Sequence, residues 1–322
     1  MRGKPLSRRE KDFCDTLMID RPLRWYHRLY VGVQYLLPHH LLSALMLRAT
    51  RIRRRPVKDL LIDTVVRRYR VDMSEALEPD PTAYASFNAF FTRPLRRDAR
   101  PIARPEDTVV CPADGTLSQV GTIDGGRVFQ AKGHDCSLPE LLGRRQEWVQ
   151  GFDGGVFATT YLSPRDYHRV HMPVAATLRE MIHVPGRLFS VNPVTTALVP
   201  RLFGRNERVL CLFETGFGPM ALILVGAIFV GSMETVWAGQ VTPTGIRGPD
   251  PAHGGETIIR LDKGAEMGRF NMGSTVILLF GPNSVVWDPV LKPGVRLRMG
   301  QSIGRIRKHA PNRMFIRSPC LL

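Results

Sequence analysis

Cysteine is scarce and unpaired in this chain. The five residues (Cys14, Cys111, Cys136, Cys211, Cys320) are odd in number, widely separated and form no C-x-x-C pair. That excludes a disulfide-stapled module and a cysteine-rich zinc site, and it predicts a reducing, intracellular setting. Acidic residues are also short, 29 against 45 Lys+Arg, leaving a formal charge of +16. Met1 to Asp20 lacks the apolar run and small-residue cleavage site of a secretory signal, so no export is expected. There is no solenoid repeat and no low-complexity tract. With 43% hydrophobic residues in 322, disorder of the whole chain is excluded, and the length suits one large or two ordinary domains.

What is present is unevenly placed. Residues 1–70 hold 17 Lys+Arg and 6 Asp+Glu, so +11 of the surplus sits in the first fifth of the chain. Inside that arm, Leu29 to Leu47 carries no formal charge, with Trp25 and Tyr26 before it and Arg48, Arg51, Arg53, Arg54 and Arg55 after it. A spanning helix needs about 20 mainly apolar residues, and Gln34 and Pro38-His39-His40 interrupt this stretch. The pattern predicts two short helices breaking at Pro38 and lying in a membrane interface, aromatics at headgroup depth and arginines toward anionic lipid. A helical arm packed on the protein's own body fits the same composition. A nucleic-acid arm is a third reading, disfavoured because the basic residues flank a greasy stretch instead of interleaving with aromatics.

Helical spacing continues through Val57–Tyr69 and through Thr82–Phe91, the latter expected to pack Tyr84, Phe87, Phe90 and Phe91 inward. From Val109 the pattern changes to short apolar runs bounded by Gly, Pro, Asp and Asn, which predicts a β-rich remainder. Val290 to Arg305, with turn glycines Gly294 and Gly300, resembles the barrel-sandwich hybrids that carry lipoyl or biotinyl groups, and Ala113-Asp114-Gly115-Thr116-Leu117 looks like an entry to a related half-motif. No Lys stands at the hairpin tip, so the shape carries over and the prosthetic group does not. The expected class is α+β, with an N-terminal helical membrane-associating region (1–70) and a β-rich catalytic domain (71–322).

Three stretches carry side chains suited to chemistry. In Tyr161-Leu-Ser-Pro-Arg-Asp-Tyr-His168-Arg-Val-His171-Met-Pro173, two histidines stand three apart between prolines. The prolines argue for loop or strand, so the rings need not point the same way, and two surface histidines or a metal pair explain H-x-x-H equally well. Phe270-Asn-Met-Gly273-Ser274-Thr275 leads into an apolar strand. A simple turn accounts for it, but a serine beside an uncovered glycine carbonyl is also poised for attack if a base takes its proton. Asp114 places a carboxylate in a turn, where capping is the bland explanation. A metal hydrolase using His168, His171 and Asp114 remains a rival, as does a non-catalytic membrane-binding module.

Taken together and in order, PADG, YLSPRDYHRVHMP and MGST resemble the bacterial phosphatidylserine decarboxylases. The likeness extends to Ser86-Phe87-Asn88, Phe90-Phe91-Thr92-Arg93-Pro94-Leu95, Gln130-Ala131-Lys132-Gly133-His134, Arg205-Asn206-Glu207-Arg208 and Glu234-Thr235-Val236-Trp237-Ala238-Gly239, covering roughly residues 57–305. Met272 stands where the family usually has Leu, a small change in size and polarity.

The resemblance implies self-cleavage between Gly273 and Ser274, into chains 1–273 and 274–322, with Asp114, His171 and Ser274 as the charge-relay set. Ser274 becomes an N-terminal pyruvoyl group, which forms a Schiff base with phosphatidylserine and releases carbon dioxide to give phosphatidylethanolamine. His168 is implied in proton transfer during decarboxylation, for which an ordinary histidine pKa near 6.5 is suitable. Lys132 and His134 are candidate substrate-binding residues. No metal, pyridoxal phosphate or nucleic acid is implied. The expected partners are the substrate, an anionic membrane surface and the sister chain, with a homodimer of such pairs, and the expected location is the cytoplasmic face of the cell membrane.

Overall fold

The structure, a computed structural model, describes residues 23–131, 134–229, 232–242, 258–273 and 275–307. The chain opens with helices α1 (Trp25–Leu36) and α2 (His39–Thr50), separated at Leu37-Pro38. Leu37 is extended (φ −70°, ψ 140°), as a residue preceding proline prefers. Helix α3 (Arg55–Tyr69) has Pro56 in its first turn and ends on Arg70 in the left-handed region. The helix expected over Thr82–Phe91 is divided. A 3₁₀ turn at Pro81–Ala83 is followed by extended Tyr84, and α4 spans only Phe87–Phe91. Ser86 is the reason, since its hydroxyl caps the Ala89 N–H at 3.2 Å and starts the helix there.

The strands are β1 (Thr108–Val110), β2 (Gly115–Thr122), β3 (Arg127–Ala131), β4 (His134–Ser137), β5 (Val156–Tyr161), β6 (Arg169–His171), β7 (Ala176–Val184), β8 (Arg208–Thr215) and β9 (Gly218–Val225). Then come β10 (Met233–Thr235), β11 (Gly239–Gln240), β12 (Arg260–Leu261), β13 (Glu266–Phe270), β14 (Thr275–Phe280), β15 (Val285–Trp287), β16 (Arg296–Leu297) and β17 (Ser302–Ile306). An antiparallel eight-stranded sheet runs β12-β7-β8-β9-β14-β5-β2-β16, beside sheets β11-β10-β13-β6 and β1-β17-β15 and the hairpin β3-β4. The α+β reading holds, but none of the described sheets closes into a barrel. The large sheet ends on two-residue strands, β12 and β16, which pair inward only.

Strands β8, β9 and β14 read as continuous apolar runs because they lie at the centre of the large sheet, where nearly every residue is buried. Thr275, the first residue of β14, pairs with Tyr161 on one side and Val225 on the other. The position after Ser274 is thus the entry to a central strand. A smaller cluster joins Ile62 of α3, Val71 and Tyr84 to Phe87, Phe90 and Phe91, with Met272 packed against it.

Helices α1 and α2 lie on the 186–195 segment through polar contacts. Gln34 accepts from the Ser190 N–H (2.9 Å), His39 Nδ1 accepts from the Leu188 N–H (3.2 Å), and His40 donates to the Gly186 carbonyl (2.9 Å). The 186–190 segment is itself held by Asn206, which bonds both backbone groups of Phe189 and the Gly226 carbonyl. Arg208 caps four carbonyls nearby, including Leu141 and Gly204. The Arg205–Arg208 motif therefore has a structural task.

Candidate active site

Gly115 brings β2 against β5. A Cβ there would stand 2.4 Å from the Tyr161 carbonyl oxygen and 2.8 Å from Thr160 Cγ2, inside contact distance of backbone that cannot swing away. Gly115→Ala is expected to cost about 1–3 kcal/mol of stability, as overpacking does. Urea unfolding of the two proteins measures it, and equal midpoints would mean that the strands separate freely.

Asp114, one residue earlier, is buried. Arg100 Nε donates to both its oxygens (2.9 and 3.0 Å), Arg100 Nη2 donates to Oδ2 (2.5 Å), and the Met299 N–H donates to Oδ1 (2.8 Å). Arg100 also donates to Glu75 (2.8 Å), whose other oxygen meets Arg298 at 3.1 Å. Burial works against the Arg100 charge, but the Asp114 and Glu75 carboxylates more than offset it and raise the guanidinium above its ordinary pKa. The carboxylate is an anchored ion-pair member and not a turn cap.

The two histidines diverge, as their loop-and-strand setting predicts. His171 ends β6, where its backbone N–H donates to the Pro112 carbonyl (2.8 Å) and so places it beside the Asp114 turn. Its Nδ1 lies 2.8 Å from the Gly264 carbonyl and its Nε2 lies 3.0 Å from the Tyr167 hydroxyl. A carbonyl only accepts, so Nδ1 carries the proton and Nε2 accepts from Tyr167. Burial lowers the His171 pKa, opposed chiefly by the Gly264 hydrogen bond. Asp114 and His171 are neighbours, but no hydrogen bond joins their side chains, because each is already engaged. Nor do His168, His171 and Asp114 converge on one point as a metal triad would.

His168 is in the loop before β6 and fully buried. Its Nδ1 donates to the Asp166 carbonyl (2.8 Å), and its ring packs on Phe91 with centroids 4.0 Å apart. That tautomer leaves Nε2 with a lone pair that no hydrogen-bond partner among the described residues meets. A Cβ built on Gly273 would lie 3.2 Å from this Nε2 and 3.2 Å from the Leu162 carbonyl oxygen. Both contacts are tight, so alanine there would displace the ring or the carbonyl by a few tenths of an ångström. Burial, the dominant cause, pushes His168 down to about 3, far from the 6.5 that suited it in the sequence.

The segment before Gly273 is strapped on both sides. The Asn88 amide donates to the Asn271 backbone and side-chain oxygens, both at 3.1 Å. The Asn271 amide donates to Ser232 Oγ (2.6 Å) and Glu234 (2.8 Å), and the Phe270 N–H donates to the His168 carbonyl (3.0 Å). Asp166 fixes the histidine loop, accepting from the Ser163 N–H and hydroxyl at 2.7 Å each and from Arg296 at 2.6 Å.

Ser274 and Lys132 lie outside the described residues. His134 opens β4, half-buried, and among the described contacts none joins it to His168 or Gly273. Sequence reasoning gave no role to Arg100, Tyr167, Asn271 or Asp166. Of these, only Asp166 carried a local signal, the Ser-x-x-Asp spacing of a side-chain-capped turn.

The model of the phosphatidylserine decarboxylase family matches residues 87–305, and a second model, described as PSD, matches residues 29–70. Similar curated proteins are the phosphatidylserine decarboxylase proenzymes of Bordetella bronchiseptica, Azotobacter vinelandii and Pseudomonas aeruginosa. The first is 59% identical over 280 residues, covering 86% of this chain and 94% of the relative. The second is 56% identical over 283 residues (86% and 98%), and the third 57% over 281 residues (86% and 96%).

Proposed function

The chain belongs to the phosphatidylserine decarboxylase family and is a decarboxylase made as a proenzyme, and from that premise we propose that it matures by cutting its Gly273–Ser274 bond and then converts phosphatidylserine to phosphatidylethanolamine at a membrane surface. The observation that carries this is the buried, unpartnered Nε2 of His168 set against Gly273. A buried polar atom without a partner needs a reason, and a reacting group beside it supplies one.

In maturation, Asp114, His171 and Ser274 form the cleavage set. His171 already holds the tautomer a base requires, with Nδ1 protonated toward Gly264 and Nε2 as acceptor. The Tyr167 hydroxyl covers that lone pair, so Tyr167 must yield it or relay through it. Arg100 keeps Asp114 oriented and charge-balanced. The strap on Asn271 holds the carbonyl side of the bond in place during attack.

The pyruvoyl group left at position 274 supplies an electron sink for the substrate's amine and carboxylate. The residues around Gly273 fit that use: His168 is fully buried beside it, and the ring Nε2, without a hydrogen-bond partner among the described residues, lies next to the glycine. A His168 pulled down to about 3 is neutral at physiological pH. Neutral, its Nε2 can accept a hydrogen bond from a group arriving at position 274, but the burial that keeps it neutral also makes it a weak base, so delivery of a proton to the α-carbon through this ring requires the bound substrate to raise its pKa.

After cleavage the small chain, 274–322, keeps β14 between β5 and β9 of the large chain, β16 beside β2, and β15 and β17 with β1. The Arg296–Asp166 and Arg298–Glu75 ion pairs and the Met299 N–H on Asp114 add to the sheet pairing in holding the two together.

Residues 1–70 form the basic arm and 71–322 the decarboxylase body in this reading. Trp25 (75% exposed), Leu29, Val33 and Leu36 (86% exposed) make one outward stripe on α1, and Leu41 and Leu45 continue it on α2. Such a stripe beside arginines suits an anionic lipid interface. Among the described residues no helix is long and apolar enough to cross a membrane. In this reading the contact is peripheral and on the cytoplasmic face of the cell membrane.

Incubation of the wild-type protein with phosphatidylserine vesicles should yield carbon dioxide and phosphatidylethanolamine. Changing Leu29, Leu36 and Leu41 to serine is expected to weaken vesicle binding by roughly 10²-fold or more, since each buried leucine is worth about 1.5 kcal/mol or more. Turnover of a short-chain, soluble phosphatidylserine should be unchanged. Equal loss on both substrates would remove the lipid-docking role from this face.

A further inference from the structure

We propose that Arg93 is the receptor for the phosphodiester oxygens of the substrate, an assignment that rests on the reading of position 274 as the reacting centre. Arg93 lies two residues beyond the end of α4 and is only 3% exposed. Its guanidinium lies over the Phe90 ring at 5.3 Å, and Nη2 donates to the Arg165 carbonyl at 3.3 Å. The N–H groups at Nε and Nη1 are buried with no partner among the described residues.

Nearby arginines are matched to carboxylates: Arg100 to Asp114 and Glu75, Arg169 to Glu266, and Arg296 to Asp166. Arg93 makes no such pair among the described residues. Asp114 and Asp166 act on it only through space, their oxygens being taken by Arg100, Met299, Ser163 and Arg296. An uncompensated buried cation is expensive, and so is each unmet donor. A fold keeps such a group where an anion arrives to meet it.

The location fits an anion bound beside Gly273. Helix α4 carries Phe91 on the His168 ring and Asn88 on Asn271, two residues before the scissile bond. The Arg165 carbonyl that holds Arg93 is adjacent in sequence to Asp166, whose own carbonyl holds His168. One short helix thus sets the arginine, the histidine and the cleavage segment together.

The substrate offers two anions, and the chemistry selects between them. The carboxylate leaves as neutral carbon dioxide, so a cation on it would stabilise the ground state more than the transition state and slow the reaction. The phosphodiester keeps its charge throughout. A cation on it binds both states equally, and its unmet donors suit a group with several acceptor oxygens.

The test compares processed wild type with Arg93→Gln and Arg93→Lys. Affinity for dihexanoyl phosphatidylethanolamine, which has the phosphodiester and lacks the carboxylate, is measured by calorimetry. KM and kcat are measured on dihexanoyl phosphatidylserine. Loss of charge-assisted hydrogen bonds predicts that Arg93→Gln raises both Kd and KM about 10- to 100-fold, with kcat within a few-fold of wild type. Arg93→Lys should recover part of the affinity. Unchanged Kd for the ethanolamine lipid with a raised KM would move Arg93 to the carboxylate, and no change in either would make it a structural cation; each overturns the proposal. If Arg93→Gln is not cleaved, the same pair of measurements on Arg93→Lys decides, with unchanged Kd again overturning it. Wild type that stays whole and inactive defeats the functional reading, while the ethanolamine-lipid affinities still judge Arg93.

Discussion

Replacing Ser274 by alanine is expected to leave one chain of 322 residues and to abolish decarboxylation of phosphatidylserine. Alanine has no hydroxyl, so no oxygen is available to attack the Gly273 carbonyl and no ester can form to be eliminated. The loss should be complete, because position 274 supplies both the nucleophile of maturation and the ketone of catalysis. The neighbouring structure should survive. Thr275 remains paired with Tyr161 and Val225, and Asn271 remains tied to Asn88 and Glu234, none of which uses the serine hydroxyl. Intact mass is the measurement. Wild type should show a large chain and a small one of residues 274–322, lighter by one ammonia than simple hydrolysis leaves it. Cleavage of the alanine variant at the same bond would transfer the nucleophile to another group.

Replacing His168 by alanine should give two chains of normal mass and a fall in decarboxylation of about 10²- to 10⁴-fold, the usual weight of general acid-base help. His171→Ala should give one uncleaved chain. The division follows from the partners of the two rings. His171 sits beside the Asp114 turn, whereas His168 points its bare Nε2 at Gly273 from within an apolar wall. An uncleaved His168→Ala would make His168 the base of maturation, a role its distance from Gly273 also permits.

The pH dependence separates the same possibilities. Burial holds His168 down to about 3, so its neutral form persists well below neutrality. A step that needs this ring neutral should keep its rate from about pH 8 to about pH 5, where an ordinary histidine would lose half near pH 6.5. A rate that halves near pH 6.5 would mean that the working ring is solvated.

Much of the chemistry was legible in the chain because it is written in contiguous residues. The Gly-Ser bond, the two histidines and the Pro-Ala-Asp-Gly turn are local motifs, and their order along the chain carried the resemblance. Strands β8, β9 and β14 were legible for a related reason, as apolar runs too short for helices and bounded by turn residues. The break at Pro38 followed from the missing N–H and the fixed φ of one residue. The division of the Thr82–Phe91 helix was not foreseen, since spacing alone does not weigh the Ser86 cap against continuation.

What the sequence by itself determined, then, is the set of candidate reacting groups, the passage from helices to a β-rich remainder, and the basic, greasy character of the first 70 residues. Only the tertiary structure decided which groups meet. Arg100 finds Asp114 and Glu75 because separate turns converge, and no spacing in the chain announces a pair brought together by packing. The same holds for Phe91 on His168, for Asn88 on Asn271, and for the large sheet staying open at β12 and β16. Burial, too, is a property of the folded whole. It is the main reason that His168 stays neutral well below the pH at which an exposed imidazole charges, and it leaves two N–H groups of Arg93 without a partner among the described residues.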